Sequence, residues 1–457
     1  MPFRYYLAAS VTAESVRSRG PAYIHLTLGP AFCNPLRHSS EGSDMSGKTR
    51  TGSVARAFSP EALLKRRIRA HFKKLGFTKA ADGSLQLPGI DKQDVRQLHS
   101  GQRAERLRSS AAFLSRALPR ALPHFADGAE IDPSKIQLRL VRVYGDTAEA
   151  DLFRVATLTW SVPVSPGFGR RLRYLVWDEH HKRIAGIIAL GDPVYNLSVR
   201  DDLIGWDVRD RSERLVNLLD AYVLGAVPPY NMLLGGKAVA CLVRSRDVYR
   251  DFKATYGKAI GVISGRAKRA ALLIVTTTSS MGRSSVYNRL RLGDTTYFNP
   301  IGYTVGWGHF HITDQLFTEL REYLRLIRHP YADQHKFGEG PNWRLRTIRA
   351  ALSEIGINES VLRHGVKREV FICPFAGNSF DILKTGKGRP KLSGLLTVAE
   401  ISDLARERWM VPRAARRDDY RAWQRSGIVD LVYGSTAIAE RRTTPSVNRA
   451  RGERDAS

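Results

Sequence analysis

The sequence predicts an α+β fold: a mixed, largely antiparallel sheet with flanking helices, preceded by a small N-terminal helical unit. Residues 135–143 alternate apolar and polar side chains, as a strand with one exposed face does. Residues 171–177 and 184–190 are apolar runs joined by a polar Asp-Glu-His-His-Lys-Arg turn, which indicates an antiparallel hairpin. Apolar side chains at helical spacing before and after these strands indicate that helices flank the sheet.

The two ends of the chain lack any hydrophobic period. Residues 1–57 mix Ser, Arg, Gly and Pro with few acids, so we expect a disordered leader. A second methionine, Met45, leaves open whether translation starts there or at Met1, and a transit peptide is the other interpretation. Residues 436–457 are predicted to form a disordered basic tail.

Residues 58–133 are predicted to form the N-terminal helical unit. Ser59 is a good N-cap, and Pro60 suits the first turn of a helix. The apolar side chains of this first helix recur at Leu64, Ile68, Phe72 and Leu75. A second helix is predicted over residues 94–118, because Pro119 should end it.

Residues 134–327 are predicted to form the α+β core, and residues 328–435 a helix-strand extension. The pattern over residues 212–252 is mainly helical, whereas residues 270–276 form a short apolar run typical of a buried strand. Two further helices are indicated by apolar positions at Leu316, Leu320, Leu324 and Ile327, and at Leu345, Ile348, Leu352 and Ile355. Past Lys384 the chain is predicted to be irregular.

The composition favours a polyanionic partner. Lys and Arg number 72 against 44 acidic residues, which gives a formal charge of +28. We therefore expect nucleic acid as a partner. A membrane surface is the alternative, but no amphipathic anchor stands out, and no stretch reaches the roughly 18 apolar residues of a membrane span. We expect no membrane association.

The cysteines favour a cytoplasmic location. Cys33, Cys241 and Cys373 are odd in number and far apart in sequence. This usage is typical of a reducing compartment and does not match the paired spacing of a zinc module.

A hydroxyl-rich loop follows the predicted strand at residues 270–276. Its candidate ligand-binding residues are Arg283, Ser285, Tyr287 and Asn288, and a helix is predicted to begin near Val286. Backbone N–H groups at a helix start, together with an arginine, can bind an anion. The Gly-Lys spacing of a phosphate-binding Walker loop is missing, and an ordinary capped junction is the alternative interpretation.

A second glycine-rich passage covers residues 302–311. Tyr303 and Trp307 are candidates for stacking on bases, because the surrounding glycines let a ligand approach the backbone. His309 and His311 would share one face of a strand. No acidic residue completes a metal site, so we predict structural histidines and no metal.

Two further groups are candidates for chemistry or contact. Arg200, Asp201 and Asp202 could bind a cation or supply a general base, or they could only form local ion pairs. Arg321, Arg325 and Arg328 are spaced four and three apart, which places them along one helical face. We expect them to contact phosphates.

Three passages resemble the DruA family of the Druantia anti-phage defence system. They are the hairpin strand ending at residues 184–190, the stretch 200–206, and Ser-Ser-Val-Tyr-Asn-Arg-Leu at 284–290 leading to residues 301–308. The resemblance spans residues 171–327. It implies a role in defence against phage or in a mobile element, and it transfers no catalytic residue.

The hairpin followed by helices is also similar to GNAT acyltransferases, whose glycine-rich turn after the central strand holds a pyrophosphate. The Arg/Gln-x-x-Gly-x-Gly pattern is missing here, which argues against acetyl transfer. The function we expect is nucleic-acid engagement within a defence system. The alternatives are an enzyme, either nuclease-like with a metal or GNAT-like, and a scaffold that recruits a helicase partner. The sequence assigns no cofactor.

Overall fold

A computed structural model describes residues 59–79, 85–87, 91–165, 167, 169–258, 270–333 and 343–434. The predicted leader and its two methionines lie outside the described residues, as does the predicted tail.

The strands form one large sheet and two small antiparallel pairs. They are β1 (Thr78–Lys79), β2 (Leu85–Gln86), β3 (Leu138–Arg142), β4 (Arg171–Asp178), β5 (Arg183–Gly191), β6 (Leu218–Ala226), β7 (Ile274–Thr278), β8 (Arg291–Leu292), β9 (Thr295–Thr296), β10 (Asn299–Tyr303) and β11 (Glu369–Pro374). The large sheet has the order β10-β11-β7-β6-β5-β4-β3. Its pairs are antiparallel except β6 with β7, which pair in parallel over only three residues.

Helices flank this sheet. They are α1 (Pro60–Lys74), α2 (Lys92–Ser109), α3 (Ala111–Ala121), α4 (Ala148–Leu158), α5 (Ser198–Ile204), α6 (Val208–Arg214), α7 (Gly235–Leu242), α8 (Arg246–Tyr256), α9 (Asp314–Leu326), α10 (Trp343–Glu354), α11 (Ser379–Thr385), α12 (Val398–Ala405), α13 (Val411–Arg416) and α14 (Gly427–Tyr433). The predicted α+β class with a largely antiparallel sheet is confirmed. Within the described residues, no helix is both long and apolar enough to cross a membrane.

Several predicted elements are confirmed. Ser59 caps α1, because its side chain accepts a hydrogen bond from the Ala62 backbone N–H at 3.2 Å. The predicted hairpin is β4 and β5, which pair in antiparallel fashion from Arg171 opposite Gly191 to Asp178 opposite Arg183. The predicted strand at residues 135–143 is β3, at the edge of the sheet.

Other predictions were wrong. Residues 218–226 form strand β6 and not a helix, because this strand lies between β5 and β7 and its side chains pack in the clusters on both faces of the sheet. Pro119 lies inside α3, and the helical stretch breaks earlier, at Ser110. Past Lys384 the chain is helical, starting with α12, which a capping box at Thr397 begins. No helix starts near Val286, where the chain makes turns.

The sheet is covered on both faces. Side chains such as Tyr174 and Ile188 pack on one face with α7, α8 and α12, and Leu175 and Ile187 pack on the other face with α3, α4 and α14. A separate cluster joins α1 and α2 to α9 and α10. Strand β11 lies between β10 and β7, so a strand from the predicted extension is integral to the core sheet.

Candidate nucleic-acid interface

The two candidate loops lie side by side, joined by the segment that enters β11. The Ser279 N–H donates to the Glu369 carbonyl at 2.9 Å, and the Glu369 N–H donates to the Gly282 carbonyl at 3.2 Å. On the other side of this segment, the Thr304 N–H donates to the Arg368 carbonyl at 2.9 Å. The residues after β7 and those after β10 therefore share one surface.

That surface exposes apolar and aromatic side chains. Tyr303 is 47% exposed, Val305 82% and Trp307 41%. Trp307 is bridged to Arg363 across an antiparallel pair, which puts these side chains next to each other. We call this region the aromatic loop surface, and its members are Tyr303, Val305 and Trp307 with the exposed cations Arg283, Arg363 and Lys367. Within the described residues, none of these cations forms an ion pair.

A glycine pair lets the strands of this surface meet. Gly306 has φ +70°, and a Cβ there would lie 3.0 Å from the Gly365 carbonyl carbon. The Gly365 N–H in turn donates to the Gly306 carbonyl at 3.1 Å. A side chain at Gly306 would force the two segments apart.

Tyr287 and Asn288 hold the loop from inside. The Tyr287 ring packs against Phe298 and Phe371, with centroids 5.2 and 5.3 Å away, and burial raises the pKa of Tyr287 to about 12. Asn288 Nδ2 donates to the Ser284 carbonyl at 2.7 Å and to Glu369 Oε2 at 3.0 Å. These contacts are structural, but no helix directly follows the loop in the described residues, so it is not the capped helix junction of the alternative interpretation. Arg283 and Ser285 are exposed.

His309 and His311 lie in a loop, not on a strand. His311 is buried, and its Nε2 is 2.9 Å from the Val361 carbonyl oxygen. Burial lowers the pKa of both histidines to about 4, so both rings are neutral near pH 7. Among the described residues, no group of three or more His, Cys, Asp or Glu side chains could hold a metal ion.

Arg200 and Asp201 form a buried ion pair. Arg200 Nε donates to Asp201 Oδ1 at 2.8 Å, and its two terminal nitrogens donate to the carbonyls of Val194 and Tyr195. Arg211 Nη1 donates to Asp201 Oδ2 at 2.9 Å. The carboxylate is thus occupied by two guanidiniums, which fits the ion-pair interpretation, while Asp202 is exposed.

The arginines of α9 have a carboxylate partner. Arg321 donates to the Ala332 carbonyl at 2.7 Å and to Asp333 at 2.9 Å. Arg325 donates to both oxygens of Asp333, at 2.9 and 2.7 Å, and these bonds raise the pKa of Arg325. Arg328 is exposed. That the three arginines contact phosphates remains a prediction, and Arg321 and Arg325 would have to leave Asp333 to do so.

Comparison with known proteins gives the family. A family model described as "Druantia protein DruA" matches residues 90–385. The chain belongs to the DruA family. It is 57% identical over 372 residues to the Druantia protein DruA of Escherichia coli (strain UMEA 4076-1), covering 81% of this chain and 92% of that protein. No solved structure matches the chain.

The DruA match confirms the family predicted from the three passages and extends it in both directions. It begins before α2 and runs through α11, so it includes β11, which completes the sheet. Every candidate residue described above, from Arg200 to Arg328, lies inside the matched range.

Two acidic residues of this DruA-family chain were missed by sequence reasoning. Glu369 is buried and accepts hydrogen bonds from the Ser284 N–H at 3.0 Å and from Asn288, so it anchors the first loop. Asp220 on β6 accepts a hydrogen bond from Thr276 Oγ1 at 2.7 Å, and burial raises the pKa of Asp220 to about 6. Sequence reasoning missed Asp220 because its strand was predicted to be a helix.

Proposed function

We propose that this DruA-family chain is the nucleic-acid-engaging component of a Druantia anti-phage defence system, and that the aromatic loop surface contacts the nucleic acid. The observation that carries the proposal is the exposure of Tyr303, Val305 and Trp307 beside Arg283, Arg363 and Lys367. The formal charge of +28 supports it independently, because such a chain attracts polyanions.

The chemistry of this surface suits a single strand. Aromatic rings can stack only on bases that are not already stacked in a duplex, and such stacking tolerates any base sequence. Neighbouring cations attract the phosphates between the stacked bases. Trp307 beside Arg363 offers both interactions within one cross-strand pair.

The test is the affinity of the full chain for a fluorescent single-stranded oligonucleotide, measured by anisotropy. Because stacking on an aromatic side chain contributes about 1–3 kcal/mol per base, Trp307→Ala should weaken binding by about 5-fold or more. The melting temperature should fall by no more than in the control variant, since the two aromatic side chains are equally exposed. Tyr331→Ala is the matched control, because Tyr331 is 42% exposed outside this surface.

Full affinity in Trp307→Ala, or an equal loss in Tyr331→Ala, would contradict the proposal. Duplex DNA of the same length should bind more weakly than the single strand. An equal affinity would show that phosphates alone are recognised and that the rings do not stack.

A second candidate function is enzymatic and rests on Asp220. A buried carboxyl with a pKa of about 6 can act as a general base near neutral pH. If Asp220 is catalytic, Asp220→Asn should abolish protection against phage while oligonucleotide affinity and melting temperature stay unchanged. Retained protection would exclude this role.

A further inference from the structure

A second basic site shares no residue with the aromatic loop surface. A cleft of about 360 Å³ opens between α2, α4, β4 and the bulged part of β6. Five arginines from three elements converge on it, and we call it the arginine cleft: Arg103, Arg106, Arg154, Arg171 and Arg173. Asp146 and Asp151 also line the cleft, which leaves an excess of three positive charges.

The guanidiniums of the arginine cleft are held by neutral groups. Arg103 donates to the carbonyls of Trp160 and Leu431, at 3.0 and 2.5 Å, and Arg171 donates to the Gly167 carbonyl at 3.1 Å. The Arg154 guanidinium lies 3.9 Å from the centre of the Phe113 ring. Within the described parts of the chain, none of the five forms an ion pair with a carboxylate.

The positive charges of the cleft repel one another. The pKa of Arg154 is lowered, first by burial and then by the charge of Arg106, and Asp151 opposes this shift only in part. Bringing unpaired cations together is unfavourable, and a bound anion would relieve the repulsion. Phosphate suits this site because several guanidiniums can donate to its oxygens at once.

A β-bulge adds a hydroxyl to the cleft. Ala189 pairs with Val223, whereas Leu190 pairs with Ala221, so Tyr222 is the extra residue of β6. The bulge turns the Tyr222 side chain toward the arginines. Burial raises the pKa of Tyr222, so its phenol stays protonated at neutral pH and can donate a hydrogen bond.

An aromatic side chain, Trp160, also lines the cleft. It packs against β6, where a Cβ at Gly225 would lie 3.0 Å from the Trp160 Cζ2 atom. Only a glycine at this point of the strand leaves room for the indole. The cleft thus combines guanidiniums, a phenol and an indole face, which are the groups that bind the phosphate and the base of a nucleotide.

We propose that the arginine cleft binds the phosphate of a nucleotide, with the base against Trp160. The ligand is either a free nucleotide or the phosphorylated end of a strand, since both carry this chemistry. The site does not rest on the aromatic loop surface, so Trp307→Ala should leave it intact.

Calorimetric titration of the full chain tests the site with AMP, ATP, inorganic phosphate and a short oligothymidine with and without a 5′-phosphate. The nucleotides or the 5′-phosphorylated strand should bind, and inorganic phosphate should bind more weakly. Arg106→Ala combined with Arg173→Ala should weaken binding by about 10-fold or more, because each charge-assisted bond is strong. Tyr222→Phe should weaken it by a few-fold.

The control is Arg209→Ala combined with Arg417→Ala, which removes the same charge from two exposed ion pairs elsewhere and should change affinity by less than about two-fold. Tighter binding of ATP than of the phosphorylated strand assigns the cleft to free nucleotides, and the reverse order assigns it to strand ends; both support the proposal. No binding by the wild type, or full binding by the folded Arg106 and Arg173 variant, would overturn it.

Discussion

The arginine cleft and the arginine row of α9 contain the same side chain in two electrostatic situations. In the row, Asp333 accepts hydrogen bonds from Arg321 and Arg325. In the cleft, five guanidiniums converge and none of them pairs with a carboxylate of the described residues. The row is therefore partly neutralised by direct ion pairs, whereas the cleft keeps an excess of three positive charges and its guanidiniums stay unpaired within the described residues.

This difference teaches that spacing along a helix does not determine which cations are free to bind a phosphate. Asp333 follows α9 by a few residues and satisfies two of its arginines through the fold of the chain. The cleft arginines come from α2, α4 and β4, which are distant in sequence. The availability of a guanidinium is thus a tertiary property.

The largest effect on stability should come from Arg200, whose ion pair with Asp201 is fully buried. Asp201→Asn would leave the Arg200 guanidinium buried without its counter-ion. Breaking such a pair costs about 3–5 kcal/mol of the free energy of unfolding. Asp202→Asn is the matched control and should leave chemical denaturation unchanged. Equal stability of the two variants would contradict the ion-pair interpretation.

Buried histidines are a third kind of basic residue, kept neutral by burial. Burial lowers the pKa of His99, His309 and His311 to about 4, so below pH 6.5 the unfolded chain binds more protons than the folded one. Stability should be fully present above pH 6.5. It should fall between pH 6.5 and 4 by about 1.4 kcal/mol per pH unit for each histidine.

Urea denaturation at several pH values measures this loss. His99→Gln should reduce its slope, because glutamine can accept the contact that Arg368 makes with His99 at 3.2 Å and does not titrate. A stability that stays flat from pH 7 to 5 would show that these rings are charged or accessible in the folded protein.

The loop after β7 contains one hydrogen-bonded side chain, Asn288, and one exposed cation, Arg283. Asn288→Ala should destabilise the chain by about 1–3 kcal/mol, because Glu369 loses a hydrogen-bond donor in a buried site. Arg283→Ala should leave the thermal transition in place and weaken oligonucleotide binding. If both variants lost protection and stability together, Arg283 would also be structural.

Exchanging carboxylates should convert one arginine region into the other. Thr157 lines the cleft, so Thr157→Asp would add a third carboxylate beside guanidiniums that the described residues leave unpaired, and nucleotide affinity should fall by about 10-fold. Asp333→Asn should free Arg321 and Arg325 and raise oligonucleotide affinity at low salt by about two-fold. Unchanged affinity in Thr157→Asp would mean that the cleft charges do not bind the ligand.

The sequence predicted those parts of the fold that have one buried and one exposed face. Helices α1 and α9 and the β4–β5 hairpin carry clear periods, and Ser59 marks a helix start. Strand β6 was missed because it is buried on both faces. In the site, Tyr303 and Trp307 could be recognised as aromatic residues among glycines.

The rest depends on contacts between distant residues. Glu369 anchors a loop that precedes it by some eighty positions, and no local sequence pattern predicts that contact. The cleft could not be predicted for the same reason, since Arg103 and Arg173 meet only after α2 packs beside the sheet. Asp333 is close to α9 in sequence, but its pairing with Arg321 and Arg325 depends on how the chain turns back after the helix, which helical spacing does not predict.

The salt dependence of binding to a phosphorylated single strand tests the central claim most directly. It should be measured for the wild type, for Arg106→Ala with Arg173→Ala, and for Arg321→Ala with Arg325→Ala. If two phosphate contacts are lost with the cleft pair, the slope of log affinity against log salt should become shallower by about 1.4. The α9 pair should change the slope by less, because Asp333 already holds Arg321 and Arg325. A shallower slope in the α9 pair and an unchanged slope in the cleft pair would contradict the account.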